Sequence, residues 1–600
     1  MATKKRIIVI DKEKCKSDKC PYQCMKVCPV NRTGDECIVI DPLTKMPVFS
    51  EIMCISCGLC VNRCNKIEHN AISLVNLPEE LDEDPIHRYG ANAFALYGLP
   101  LPKAGSVTGL IGQNGIGKST IMNLLTGSVR PNLGVFTRES SWDEIIERFK
   151  GTEFQNYLEK LRDSKIRSSF KPQNVDKIPK MMKGKVSGLL DKLPMKDKAE
   201  GLLKTFDMES IKDKKTDELS GGELQLLAII ATLSREADFY FFDEPSSYLD
   251  VKQRLLMAQE VRRAAENAVV LVVEHDLAVL DYLSDFIHIT YGQPAVFGVV
   301  SKPYGVRVGI NTYLDGFIKE ENMRFRSKPI TFPKIAIESE KRKKFLDFPD
   351  FEKSFEGFSM KTESGSLHQG EIIGIVGPNG IGKTTFIKML AGKLEPDNES
   401  ENFIKDLNLS YKPQRIVLEK DENFMTVHEF LEKTIKDNVY ETEFKNMARS
   451  LGVEKNLEKM MNVLSGGELQ SVFILRAIWQ EHNLILFDEP SAFLDVEQRL
   501  LVAKIIKNHI ETTEVSGFVV DHDLQFLDAV ADRIMVFDGK SGVLGEGYKP
   551  MSLHDGMNRF LKNVNVTFRR DPQTGRARAN KKDSQKDQEQ KAEGKYYYMG

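Results

Sequence analysis

The chain has 600 residues, enough for several domains, and a formal net charge of −3. A nearly neutral chain excludes wholesale electrostatic binding to nucleic acid, so any such contact must come from local patches. The N-terminal MATKKRIIVI has an apolar run of only four residues, and no uncharged apolar run approaches the roughly 18 residues of a membrane span, so a cytoplasmic protein with no membrane partner is expected.

All nine cysteines lie between Cys15 and Cys64. Disulfides are disfavoured in a reducing compartment, so this crowding points to metal. The run Cys54-x2-Cys57-x2-Cys60-x3-Cys64 resembles that of bacterial ferredoxins, with Asn65 in place of the usual proline. Cys15-x4-Cys20-x3-Cys24-x3-Cys28-Pro29 is a wider variant that keeps the proline. The resemblance implies a ferredoxin-like α+β domain over residues 1–78 with two [4Fe–4S] clusters. Three cysteines of each run would serve one cluster and the fourth would cross over. Cys54, Cys57, Cys60 and Cys28 would hold one, and Cys15, Cys20, Cys24 and Cys64 the other. Zinc is the alternative occupant, although C-x2-C-x2-C-x3-C is unusual for zinc pairs. Cys37 stands outside both runs and is expected to be a plain thiol. RIIVID and CIVID read as short strands flanking the first run.

The segment NLPEELDEDPIHRYGANAFALYGLP follows, acidic and then aromatic. Next comes VTGLIGQNGIGKST (107–120), echoed by IIGIVGPNGIGKTT (372–385). Each is an apolar run, then G-x-x-x-x-G-K-[ST], then a helical pattern, which is a phosphate-binding loop between strand and helix. Gly112, Asn114, Gly115 and Gly117, with Gly377, Asn379, Gly380 and Gly382, would turn backbone N–H groups around phosphate oxygens at a helix N-terminus. Lys118 and Lys383 would reach the β- and γ-phosphates. Ser119 and Thr384 would ligate Mg²⁺, beside Thr120 and Thr385.

Gln173 in SFKPQ lies 55 residues after Lys118, whereas Gln414 in SYKPQ lies 31 after Lys383, so the first half carries about 24 extra residues. They contain Ser141-x-x-Glu144 and Thr152-x-x-Gln155, two capping-box patterns, each opening an amphipathic run. Trp142, Ile145, Ile146 and Phe149 share one helical face, and Phe154, Tyr157, Leu158 and Leu161 another. A charged, exposed helix–loop–helix over about 140–167 is expected, either a partner-binding element or a decoration that the cassette core could lose.

LSGGELQ occurs at 219–225 and again at 464–470. FYFFDEPSSYLD then ends at Asp250 and LILFDEPSAFLD at Asp495, and LVVEHD and FVVDHD supply His275 and His522. Phosphate loop, Gln, LSGG, Asp-Glu, Leu-Asp and His thus recur in one order. This order resembles that of ATP-binding-cassette ATPases over residues of about 79–548. The resemblance implies that Asp243 and Asp488 hold Mg²⁺, that Gln173 and Gln414 sense the metal and the attacking water, and that Glu244 and Glu489 orient or deprotonate that water. It also implies that His275 and His522 contact the γ-phosphate. An aromatic upstream of the first phosphate loop that stacks on adenine is a further implication of the resemblance, with Tyr89 and Phe94 as candidates, and core packing would serve Phe94 equally well. Ser465, Gly466 and Gly467 would complete the site of Lys118, and Ser220, Gly221 and Gly222 that of Lys383, with two ATP molecules between head-to-tail halves.

Two cysteine runs, twin cassettes in one chain, an insertion in the first only, LSGGELQ twice and FDEPSSYLDVKQR together resemble the ABC-E ribosome-recycling ATPases, also called the RNase L inhibitor family. That resemblance covers nearly the whole chain. It implies splitting of ribosomes into subunits after termination or rescue, with a release factor or a Pelota-type factor as partner. It also implies residence on the small subunit, in contact with ribosomal RNA and proteins. The expected organisation is cluster head 1–78, first cassette 79–295, hinge 296–327, second cassette 328–548, and a C-terminal hinge and basic tail 549–600. Residues 569–600 hold nine Lys or Arg against five Asp or Glu, and the last 25 could equally be a solvated tail. A redox enzyme gated by ATP and a transport subunit are the competing classes. The first lacks a flavin or haem motif, and the second would not carry a cluster head in the same chain.

Overall fold

The computed structural model describes all residues except 1–5, 13, 18, 68, 77–83, 327, 333–341, 399–406, 436–440 and 599–600. The expected junction between head and first cassette, at 78/79, lies outside the described residues, as does the last residue of the expected hinge.

Two sheets of the same plan organise the chain. In the first, the order is 87–88, 95–97, 297–300, 286–293, 107–112, 269–273, 239–243 and 168–171; in the second it is 351–355, 358–362, 544–547, 533–540, 372–376, 516–520, 484–488 and 409–412. The central strands are parallel, with Val107–Gly112 between Val269–Val273 and Phe286–Gln293. These strands are buried on both faces, hence the unbroken apolar runs VVLVV and FVV rather than alternation.

The head is a small α+β unit. Strand Arg6–Ile10 pairs antiparallel with Ile72–Asn76, and Ile38–Ile40 with Pro47–Phe49. RIIVID and CIVID therefore do form strands, with different partners. Helix Leu59–Lys66 runs through Asn65, which a proline there would have broken; Pro29 instead opens a new helix, Pro29–Arg32, directly after Cys28.

The insertion does form two helices, Trp142–Arg148 and Glu153–Arg162. The Ser141–Glu144 capping box is complete. Thr152 does not cap: its hydroxyl donates to Phe149 O, and Gln155 accepts from Gly151 N. The element is exposed only on its charged outer faces; its apolar faces are part of the cassette core. Ile145, Phe154, Leu158 and Leu161 are buried in one cluster with Leu110, Ile121, Leu124 and Phe239 of the cassette, and Tyr157 Oη donates to Leu125 O at 2.6 Å. Eight apolar residues on two faces need a surface to cover, and the phosphate-loop helix Lys118–Leu125 supplies it.

Residues 568–598 are structural rather than a solvated tail. Phe568–Arg570 and Ala577–Ala579 form a hairpin, followed by helix Gln585–Ala592. Arg576, wholly buried, pairs with Asp281 of the first cassette at 3.1 Å, and Arg578 joins it at 2.6 Å. Arg570 pairs with Asp528 of the second cassette at 2.7 Å, and Asp571 with Arg307 of the 296–327 segment at 3.1 Å. The basic residues thus tie both cassettes and the inter-cassette segment together.

Candidate nucleotide sites and cysteine cavities

Parallel strands deliver their chemistry at their carboxyl ends, where an open α/β sheet leaves a crevice. Val107–Gly112 ends at the first phosphate loop, Phe239–Asp243 ends at Asp243, and Val269–Val273 leads into Glu274 and His275. Val273 is in register with Asp243, so these groups meet. The second half repeats this, with Val520 beside Asp488. Gly117 and Gly382, at φ 97° and 96°, make the left-handed turn into helices Lys118–Leu125 and Lys383–Leu390.

In the first site Lys118 Nζ lies 2.7 Å from His275 Nε2 and 3.3 Å from Gly112 O and Asn114 Oδ1. Gln173 Nε2 donates to Glu244 Oε1 at 2.6 Å, and His275 Nε2 is 3.5 Å from the same oxygen. Burial, then Lys118 and Arg499, pushes His275 well below the usual imidazole range, which favours a neutral ring facing the Lys118 side chain. In the second site Gln414 Nε2 donates to Glu489 Oε1 at 2.7 Å, with His522 Nε2 at 3.3 Å. Lys383 there turns back onto Gly377 O and Pro378 O, at 2.8 and 2.5 Å.

Glu244 and Glu489 sit at φ 48° and 49°, left-handed conformations that cost a non-glycine residue about 1–3 kcal/mol. Matching strain in both halves marks a functional constraint. Its supports were missed in the sequence. Lys171 and Lys412, fully buried, donate to the carbonyls of Asp243 and Glu244 and of Asp488 and Glu489. Glu274 accepts from Ser246 N, His275 N and Asp276 N, and Asp521 from Ser491 N, Ser491 Oγ and Asp523 N. Glu274 ties the turn after the strained glutamate to the His275 backbone, and Asp521 ties its counterpart to the backbone of Asp523, next to His522. Their signal was present in K-P-Q and in E-H-D/D-H-D, recurring beside residues already singled out.

Burial, then the neighbouring glutamate, raises Asp243 to about 6 and Asp488 to about 7. Both carboxylate oxygens of Asp488 are buried without a hydrogen-bond partner. A buried carboxylate held so is costly unless a cation pairs with it, and hard oxygen donors beside Thr384 suit Mg²⁺. Ser119 is exposed, and Thr120 and Thr385 lie within the loop helices.

Ser220 and Ser465 are the N-caps of helices Gly221–Leu233 and Gly466–Trp479. The halves meet head to tail. Asn379 of the second loop donates from its side chain to Tyr248 O at 3.0 Å, and from its backbone N–H to Asp250 Oδ2 at 2.9 Å. It also lies 3.4 Å from where a Cβ on Gly222 would sit. The first loop meets the second half through Gln113, whose Nε2 donates to Glu497 Oε2 at 3.0 Å. Arg254 joins Asp276 of its own half to His522 O of the other, at 2.5 and 3.2 Å.

Tyr89 is exposed, with its hydroxyl 3.2 Å from Thr120 Oγ1, and Phe94 packs under Gly117. The second half has counterparts that sequence reasoning missed. Phe355 is exposed, and Phe358 lies beneath Gly382. They precede Lys383 by 28 and 25 residues, as Tyr89 and Phe94 precede Lys118 by 29 and 24, and that spacing was the available signal.

In the head, one cavity is lined by Cys28, Cys54, Cys57 and Cys60 and a second by Cys15, Cys20, Cys24 and Cys64. This is the division that the ferredoxin resemblance implied. Four sulfurs spread around an apolar cavity suit a larger thiolate-bound cluster. Cys37, outside both runs in sequence, is inside the first cavity in space.

Twin phosphate loops facing across two cassettes, carried with a cysteine-lined head, define an ATP-binding-cassette ATPase with an iron–sulfur domain. A family profile described as "ABC transporter" matches residues 102–247 and 360–492, and one described as "Possible Fer4-like domain in RNase L inhibitor, RLI" matches 6–36. The chain is 48% identical to an uncharacterised ABC transporter ATP-binding protein of Methanocaldococcus jannaschii, covering 99% of this chain and 98% of the relative. It is 43% identical to the translation initiation factor RLI1 of Saccharomyces cerevisiae, over 99% and 98%. It superposes on a chain of "Model of ribosome-bound archaeal Pelota and ABCE1" with TM-score 0.93 and 49% identity, all of both chains covered. A second match, from the complex of archaeal ribosomal stalk protein aP1 with archaeal ribosome recycling factor aABCE1, has TM-score 0.80 and 49% identity, over 86% of this chain and 99% of that one. The chain belongs to the RNase L inhibitor, or ABC-E, family.

Proposed function

We propose that this chain is an ATP-driven ribosome recycling factor. It splits ribosomes into subunits after termination or rescue, acting with a release factor or Pelota-type factor and remaining on the small subunit. The observation that carries the reading is the full-length likeness to the chain in the ribosome-bound Pelota structure. The two composite sites support it physically. ATP bound between one half's phosphate loop and the other's Ser-Gly-Gly helix stabilises the closed pair, and hydrolysis removes that preference. The reading places the protein in the cytoplasm; among the described residues no helix is long and apolar enough to cross a membrane.

In each site the loop glycines and asparagine (Gly112, Asn114, Gly115, Gly117; Gly377, Asn379, Gly380, Gly382) wrap the phosphates, and Lys118 or Lys383 neutralises them. Glu244 and Glu489 position the water; Gln173 and Gln414 hold the two carboxylates on one side, His522 flanks Glu489 on the other, and His275 lies beside Glu244 with its Nε2 turned to Lys118. Asp243, Asp488, Ser119 and Thr384 would hold Mg²⁺, which supplies charge neutralisation at the transferring phosphoryl group. The two cysteine sets would hold two [4Fe–4S] clusters. A small head with short strands has little core of its own, so cluster binding supplies rigidity. The domain limits proposed above stand with this reading.

The test is sedimentation of ribosomes with the protein, ATP and a Pelota-type factor. Subunits should appear only when all three are present. Intact ribosomes under those conditions would overturn the reading.

A further inference from the structure

Cys37 is 1% exposed and lines the same cavity as Cys28, Cys54, Cys57 and Cys60. Its position is fixed by its surroundings. Ser50 N donates to Cys37 O at 2.7 Å, and the Asn31 side chain brackets Ile38 with two hydrogen bonds, of 2.8 and 2.9 Å. The Cys37 thiol points at Ser50 O, at 3.9 Å, and that carbonyl also accepts from Cys54 N at 3.1 Å. Cys37 and Cys54 therefore converge on one atom, and Cys28 and Cys54, which line the same cavity, are the two cysteines whose charge bears on the Cys37 thiol. The cavity thus has five sulfurs where a cubane takes four. The second cavity has only four cysteines.

We propose that Cys37 is a reserve ligand of the first iron–sulfur site, taking over the iron of Cys28 or Cys54 when either thiolate is lost. The inference rests on the cluster reading given above. The exchange is redox-neutral: one iron–sulfur bond breaks, another forms, and the Cys37 proton passes to the departing thiolate, or to solvent where that cysteine has been replaced. Cys57, the exposed cysteine of the cavity, is not among those that bear on the Cys37 thiol, so the proposed rescue does not extend to it.

The test is total iron and acid-labile sulfide in anaerobically purified full-length protein, with low-temperature EPR of the reduced clusters. Wild type and Cys37→Ala should each hold about eight iron atoms, twice the four of a cubane. Cys54→Ala should keep about eight with an altered EPR signal, and Cys54→Ala combined with Cys37→Ala should fall to about four. Cys28→Ala should behave as Cys54→Ala does. Cys57→Ala and, in the other cavity, Cys20→Ala should fall to about four whether or not Cys37 is present. A fall to about four in both Cys54→Ala and Cys28→Ala would overturn the proposal, as would iron loss in Cys37→Ala alone, which would make it an ordinary ligand. Retention of about eight in the double variants would also overturn it. Insoluble protein from both single variants beside soluble Cys20→Ala would count against it in the same way. Zinc without iron in the wild type would instead remove the cluster reading itself.

Discussion

Arg88 and Glu51 are joined by two hydrogen bonds, of 2.9 and 2.5 Å, across the boundary between the cysteine head and the first cassette. Glu51 also accepts from Ile8 N, and Asn92 bonds Ile8 O, Phe49 O and Phe49 N. Tyr89, with its hydroxyl on the phosphate-loop helix, lies between these two anchors. The segment that faces the first nucleotide site is therefore the one that grips the head. The side chains are 13% and 22% exposed, between surface pairs worth about 0.5 kcal/mol and buried pairs whose breakage costs about 3–5. Arg88→Ala should cost about 2 kcal/mol of head attachment. Amide exchange in strand Arg6–Ile10 should accelerate with iron content unchanged, and unchanged exchange would show that the pair holds nothing.

Glu244→Gln and Glu489→Gln should each preserve ATP binding and slow hydrolysis at the altered site by about 10²–10⁴-fold, the usual worth of a positioned base. Single-turnover assays in which the other site is silenced should find ATP trapped. Turnover at the wild-type rate in both variants would remove the water-positioning role.

Glu274 and Asp521 should act through geometry. Glu274→Gln and Asp521→Asn place an amide NH₂ where backbone N–H groups donate, a loss of about 1–3 kcal/mol each. At about tenfold per 1.4 kcal/mol, kcat should fall roughly tenfold to a hundredfold while ATP affinity changes by about twofold or less. A matching loss of ATP affinity would mean that the loop itself collapses.

Deletion of residues 140–167 should yield insoluble or molten protein, because Ile145, Phe154, Leu158 and Leu161 belong to the cassette core. Leu158→Ala alone should cost about 2–5 kcal/mol in denaturant titration. Lys150→Glu and Lys160→Glu, both at exposed positions, should leave stability within about 0.5 kcal/mol. If the insertion contacts the ribosome, these charge reversals should weaken that binding.

Arg576→Ala leaves the buried Asp281 paired with Arg578 alone, short of the full loss of a buried pair, and should cost about 2–3 kcal/mol. The expected signature is separation of the two cassettes in small-angle scattering while each stays folded. Global unfolding without separation would place the hairpin within one cassette rather than across both.

The local chemistry was legible because it is written in short, contiguous words. A phosphate loop needs its glycines and lysine within one turn, and a helix N-terminus needs Ser-Gly-Gly in sequence. The repeat of those words gave the twin-sheet plan, and the ferredoxin-like runs gave the partition of eight cysteines. Tertiary structure alone decided the rest, because distance along the chain says nothing about proximity when the contact is made by packing. Cys37 entered a cavity through the return of strand Ile38–Ile40 onto Pro47–Phe49. The insertion became core because the apolar faces of its two helices found the phosphate-loop helix. The charged C-terminus became a clamp because Asp281, Asp528 and Arg307 wait on three different segments. Charge composition describes what a segment could solvate; only the fold supplies the buried partner that makes ordering it favourable.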